Sequence, residues 1–127
     1  MSECKKHLER SEEKLTSANL LFENNMFADA ISEGYYAMFH AAKSLLALKS
    51  VYPKTHAGVI SQFGLQFVTV GLIEEFYAKS LAKTQIKREK ADYDIYYEPS
   101  KEEAESVIED AERFLERIMR VMDEMKQ

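Results

Sequence analysis

Phe27-Ala-Asp-Ala-Ile-Ser-Glu-Gly-Tyr-Tyr-Ala-Met-Phe-His-Ala-Ala-Lys-Ser-Leu-Leu-Ala-Leu-Lys-Ser50 decides the fold class. Between Ala30 and Leu48 only Glu33, His40 and Lys43 can carry charge. Apolar residues fall nearly all round a helical period, the pattern of a helix buried on most sides. The spacing predicts a helix over 27–50 as the central element of a bundle. Gly34, Ala37, Ala41 and Ala42 are small enough to let neighbouring helices approach closely.

The flanking sequence supplies those neighbours. Upstream, Cys4, Leu8, Leu15, Ala18 and Phe22 recur at helical spacing from about Glu3 to Asn25, with Ser2 as N-cap and Asn24-Asn25 as the break. Downstream, Val51 to Lys54 reads as a connection, and Thr55 caps a third helix over His56 to Val70 that Gly71 ends. A fourth helix is expected over Leu72 to Lys90, with Lys79, Lys83, Lys87 and Lys90 as a solvated stripe. Ala91 to Pro99 lacks an amphipathic period and holds three tyrosines. Ser100-Lys-Glu-Glu103 is a capping box opening a fifth helix, whose face carries Ala104, Val107, Ala111, Phe114, Ile118, Val121 and Met125. The expected fold is all-α: an up-and-down bundle of about five helices in one domain over 1–127.

Composition agrees. Apolar residues make up 46% and charged residues 31% of 127, an ordinary globular balance. Four Gly and two Pro are too few for a many-stranded sandwich or barrel. The single Cys4 excludes an intramolecular disulfide framework and fits a reducing, cytoplasmic setting. No apolar run approaches the ~18–20 residues of a membrane span, and the N-terminus lacks the apolar core of a signal peptide. The net charge is −5, and Glu98–Gln127, with ten acidic and five basic residues, carries all of it. That balance argues against gripping nucleic acid by bulk charge, but leaves room for a local phosphate site.

Nucleophile elbow, phosphate-binding loop, dinucleotide fingerprint and paired-histidine metal helix are all absent. His7, His40 and His56 are scattered with no cysteine at ligand spacing, so neither a metal nor a cofactor is expected. Two stretches can carry chemistry. On the central helix, Tyr36, His40 and Lys43 either pack locally or line the rim of a ligand cleft. In Lys87-Arg-Glu-Lys-Ala-Asp-Tyr-Asp-Ile-Tyr-Tyr97, Arg88 and Asp92 would pair if the helix continues. The sharper reading makes Arg88 a bidentate phosphate ligand and a tyrosine a stacking surface.

Taken in order, Ala28 to Leu46, Pro53-Lys-Thr-His-Ala-Gly-Val-Ile60, Arg88-Glu-Lys-Ala-Asp-Tyr-Asp94 and the Ser100 box with Ala104 and Ala111 resemble the HEPN domain (higher eukaryotes and prokaryotes nucleotide-binding). The likeness is to its small stand-alone prokaryotic branch and spans about Leu15 to Leu115. It implies a helical bundle that commonly forms a homodimer, and relatives encoded beside a minimal nucleotidyltransferase in toxin–antitoxin pairs. Many such relatives are metal-independent RNases with Arg-x4-6-His at the end of the fourth helix. Here Arg88 matches the arginine, but Tyr93 follows after four residues, and no histidine occurs after His56.

The leading expectation is therefore a non-catalytic module that binds a nucleotide, an RNA segment or a partner nucleotidyltransferase. Arg88 would hold phosphate, Asp92 and Asp94 would orient it or accept from ribose hydroxyls, and Tyr36, Tyr93 and Tyr96 would stack, with His40 at the rim. Two alternatives stand beside it. One is a ribonuclease with a rearranged site in which Arg88, Asp92 and Tyr93 are the catalytic candidates; the other is a structural dimeric subunit without ligand.

Overall fold

A computed structural model describes residues 2–126; Met1 and Gln127, the ends of the expected domain, lie outside them. Five α-helices follow in order: α1 (Ser2–Glu23), α2 (Phe27–Leu48), α3 (His56–Phe63), α4 (Glu75–Tyr93) and α5 (Lys101–Met125). Among the described residues there is no strand, so the fold is the all-α bundle that the apolar periods predict.

Helix α2 is the hub, packed against α1, α5, α4 and α3. Tyr35, Met38, Ala41, Ala42 and Leu45 are fully buried along it and meet Phe63, Phe67 and Phe114 in one core. At Gly34 the helix backbone comes so close to α5 that an added Cβ would stand 2.9 Å from Val107 Cγ1.

Three helix ends share one device. The amides of Asn25 and Met26 donate back to Phe22 and Leu21, those of Ser50 and Val51 to Ala47 and Leu46, and those of Gly71 and Leu72 to Val68 and Phe67. Each is a Schellman closure, with Asn25 (φ 62°), Ser50 (φ 57°) or Gly71 (φ 80°) in the left-handed conformation it requires. Asn25 and Gly71 close their helices where an end was expected, whereas the second helix, expected to reach Ser50, stops at Leu48 and Ser50 closes it from outside.

Four other boundaries differ from expectation. Ser2 is itself helical rather than the cap before the helix. The third helix is not α-helical to Val70: after Phe63 it widens into a π-helical turn, Gly64–Val68, where the Thr69 amide donates to the Gly64 carbonyl five residues back. Helix α4 begins three residues late, because the Leu72 and Ile73 amides both turn back to the Phe67 carbonyl. Arg117 then secures the entry, donating to both Glu74 carboxylate oxygens (2.8 and 3.1 Å) and to the Leu72 carbonyl (3.2 Å). At its other end α4 runs on through Ala91, Asp92 and Tyr93, so the Arg88–Asp92 pairing does form.

The start of α5 is half a capping box. Ser100 Oγ accepts from the Glu103 amide (3.1 Å), but the Glu103 carboxylate takes the Tyr97 hydroxyl (2.7 Å) instead of returning to the cap. The apolar face of α5 is buried as expected, except that Met125 is exposed at its end.

Candidate functional site

Helix α4 buries Leu81 in the core and, beside it, a polar stripe. Ser80, Thr84 and Arg88, four residues apart, are buried against the bundle, while Phe76 and Ile86 stand 56% and 60% exposed. Four-residue spacing stacks side chains on one face of a helix, so a polar stripe faces the core and ends in a guanidinium.

Arg88 is only 4% exposed. Its Nε and one terminal nitrogen donate to Gln85 Oε1 (3.3 and 3.0 Å), and the other reaches Asp92 Oδ2 at 3.4 Å. The guanidinium lies over the rings of Tyr35, Tyr36 and Tyr93, 5.5, 5.8 and 5.9 Å from their centroids. Burial works against its charge, but Tyr36 and Asp92 more than offset that and raise its pKa. A guanidinium has five N–H donors, of which these bonds use three. The Asp92 contact is longer than the 2.7–2.9 Å of a tight charge-assisted bond, so an anion can compete for it.

His56 completes the cluster. Its Nδ1 lies 2.8 Å from the hydroxyl of fully buried Tyr35, and its ring packs on Phe39 (4.6 Å) and Tyr36 (5.9 Å). Burial and the nearby Arg88 charge push its pKa below 6.5, so the imidazole is neutral at pH 7. Burial raises the Tyr35 hydroxyl well above its ordinary value, so it acts only as a neutral hydrogen-bonding group.

Tyr36 and Phe39 form an aromatic floor with cations on both sides. On the α1 side Lys14 Nζ lies 5.9 Å from the Tyr36 ring and Lys43 Nζ 5.3 Å from the Phe39 ring. On the α3–α4 side stand His56 and Arg88. Glu33 accepts Lys14 at 3.2 Å. The result is a half-buried patch on α2 in which rings can stack a planar ligand and cations can meet its phosphates.

The structure thus gathers Arg88, Asp92, Tyr93 and Tyr36. It does not bring Asp94 and Tyr96 to them: Asp94 Oδ1 caps its own turn by accepting from the Tyr96 amide (2.9 Å), and the Tyr96 side chain is 86% exposed. His40 pairs with His7 rather than with Arg88. His56 and Tyr35 are the members that sequence reasoning missed; His56 follows a capping threonine 32 positions before Arg88, and no spacing links them.

A family model of the HEPN domain matches residues 4–122. A Methanocaldococcus jannaschii protein named "Putative toxin MJ0605" is 48% identical over 118 residues, covering 93% of this chain and 87% of that protein. A UPF0332 protein of Archaeoglobus fulgidus is 34% identical over 117 residues, 92% of this chain and 93% of the relative. A Pyrococcus horikoshii protein, UPF0332 protein PH1297, is 53% identical over 83 residues; that match spans 65% of this chain and 58% of the relative.

Proposed function

Because the chain belongs to the HEPN domain family, we propose that it is a toxin-like HEPN module whose α2 patch binds a phosphate-bearing nucleotide or RNA segment at Arg88. One observation carries the reading: a buried arginine with two unused N–H donors, its carboxylate partner loosely held at 3.4 Å, beside an aromatic floor. An entering phosphate displaces Asp92 and takes the two free N–H groups. Tyr93, 77% exposed, swings to cover a base that stacks on Tyr36. Asp92 is then free to accept from a ribose hydroxyl.

A second reading, metal-independent RNA cleavage, is favoured by His56 alone. A neutral imidazole beside a guanidinium is the pair that such cleavage needs. His56 would take the 2′-hydroxyl proton as the 2′-oxygen attacks phosphorus; the 5′-oxygen leaves and is protonated by water, and Arg88 holds the charge on the phosphoryl oxygens. Incubating RNA with the chelated wild type, Arg88→Ala and His56→Asn separates the two. Binding without strand scission supports the module; scission lost in both variants, with their folds intact, supports cleavage.

For the protein partner, the outward stripe of α4 is the surface we favour. Phe76, Lys79, Lys83, Ile86 and Lys90 recur at three- and four-residue steps on the solvent side. Exposed Phe76 and Ile86 on one charged face offer a surface for a protein partner, and a second copy of the chain is the proposed occupant. Light scattering of wild type and Phe76→Glu/Ile86→Glu tests it: a dimer that becomes a folded monomer supports the assignment. A monomeric wild type that captures a co-expressed nucleotidyltransferase gives the surface to that partner instead.

A further inference from the structure

The α1 side of the patch carries chemistry that the Arg88 reading leaves unused. His7 of α1 and His40 of α2 stack with centroids 5.2 Å apart and planes 24° from parallel, and their Nδ1 atoms are 3.0 Å apart. Such a contact needs one hydrogen between the two nitrogens, so one ring donates and the other accepts. A proton added at Nε2 of the donating ring keeps that bond and leaves both rings presenting Nε2–H.

The surroundings are cationic. From α1, Glu3, Arg10 and Lys14 act on the pair, and from α2, Lys43. Lys14 is taken up by Glu33 at 3.2 Å and Arg10 reaches only exposed Glu13 at 3.6 Å. Lys43 has no carboxylate within 4 Å among the described residues and lies over the Phe39 ring. His7 also borders an open depression of about 410 Å³ shared with Ser2, Glu3 and Lys6. Glu3 is the only carboxylate in this set that is not already paired.

We propose that His7, Arg10, His40 and Lys43 form a second anion subsite, which takes up a phosphate group and a proton together. Two Nε2–H donors in a field set by Lys43 and Arg10 suit a phosphate anion and disfavour a metal cation. Without the anion, burial and then the same positive charges resist protonation of the rings; a bound phosphate anion opposes both and draws the proton in. The subsite is distinct from Arg88. His7 and Arg10 stand on α1 and Arg88 on α4, two helices that each pack against α2, and no hydrogen bond or ion pair joins the two sets among the described residues. It stands without the Arg88 reading, and if both hold, the patch selects ligands with at least two phosphate groups.

Imidazole and guanidinium NMR signals titrated between about pH 4 and pH 8 test this, with inorganic phosphate as the probe and sodium chloride at matched ionic strength as the control. Phosphate should move the His7 and His40 ring nitrogens toward the doubly protonated form and raise one apparent pKa by about one unit, tenfold in proton affinity. The response should persist in Arg88→Met and vanish in Lys43→Met. Phosphate that moves only the Arg88 Nε signal, or histidine shifts that sodium chloride reproduces, would overturn the subsite. Histidine shifts with a silent Arg88 would support it and count against phosphate binding at Arg88.

Discussion

The His7–His40 pair makes stability depend on pH in a way that can be worked out before measurement. Burial, then the neighbouring His7 and the Lys43 charge, depress the His40 pKa from 6.5 to about 4. The unfolded chain therefore binds more protons than the folded one between those values, so stability rises with pH across that window and falls as acid is added. At 1.36 kcal/mol per pH unit the full interval bounds the effect at about 3 kcal/mol. The ring is only half-buried, and solvent screening trims this to about 1–2 kcal/mol lost between pH 7 and pH 5. Urea denaturation of wild type and His40→Gln at both pH values isolates the contribution, because the carboxylates common to both proteins cancel in the difference. The wild type should lose about 1–2 kcal/mol more than the variant on acidification. Parallel losses would show that His40 is not held neutral, and the reasoning about the pair would fail.

Other substitutions probe the packing. Gly34→Ala gains about 1 kcal/mol in helix propensity, but its Cβ meets β-branched, buried Val107 at 2.9 Å. The overpacking cost of about 1–3 kcal/mol should prevail, and a raised urea midpoint would refute that. Gly64→Ala and Gly71→Ala should move Tm in opposite directions. Gly64 is right-handed at φ −61° with open space around it, so alanine should stabilise by about 0.5–1 kcal/mol; Gly71 at φ 80° should lose about 1 kcal/mol. Arg117→Ala should cost about 2 kcal/mol by chemical denaturation, since it frees the Leu72 carbonyl and Glu74 at the α4 entry. The Arg117 bond holds the Glu74 carboxyl below its ordinary range, so this contribution is present above the unfolded-state pKa and fades as pH falls through the folded one.

Much of this architecture is legible in the sequence, for a physical reason. A helix that is apolar on most sides can only be central, so 27–50 announces the bundle; Thr55, Ser100 and Gly71 mark ends because their side chains, or the lack of one, satisfy local geometry. The misread segment is α4. Its inward face mixes Leu81 with Ser80, Thr84 and Arg88 and its outward face carries Phe76 and Ile86, so the usual rule of apolar inside returns no clear period. The C-terminal turn was lost for the same reason, although the i, i+4 spacing of Arg88 and Asp92 pointed to it. Arg88, Asp92, Tyr93 and Tyr36 were readable as residue types with a purpose. His56 was not, because its closeness to Tyr35 and Arg88 exists only after α3 folds onto α2.

Binding of a fluorescent single-stranded RNA by wild type and Arg88→Met, both shown by circular dichroism to be folded, tests the central claim most directly. The account predicts at least about a tenfold loss of affinity in the variant, and a salt dependence shallower by about one phosphate contact. Equal affinity and equal salt dependence in the two proteins would contradict it and remove Arg88 from the ligand site.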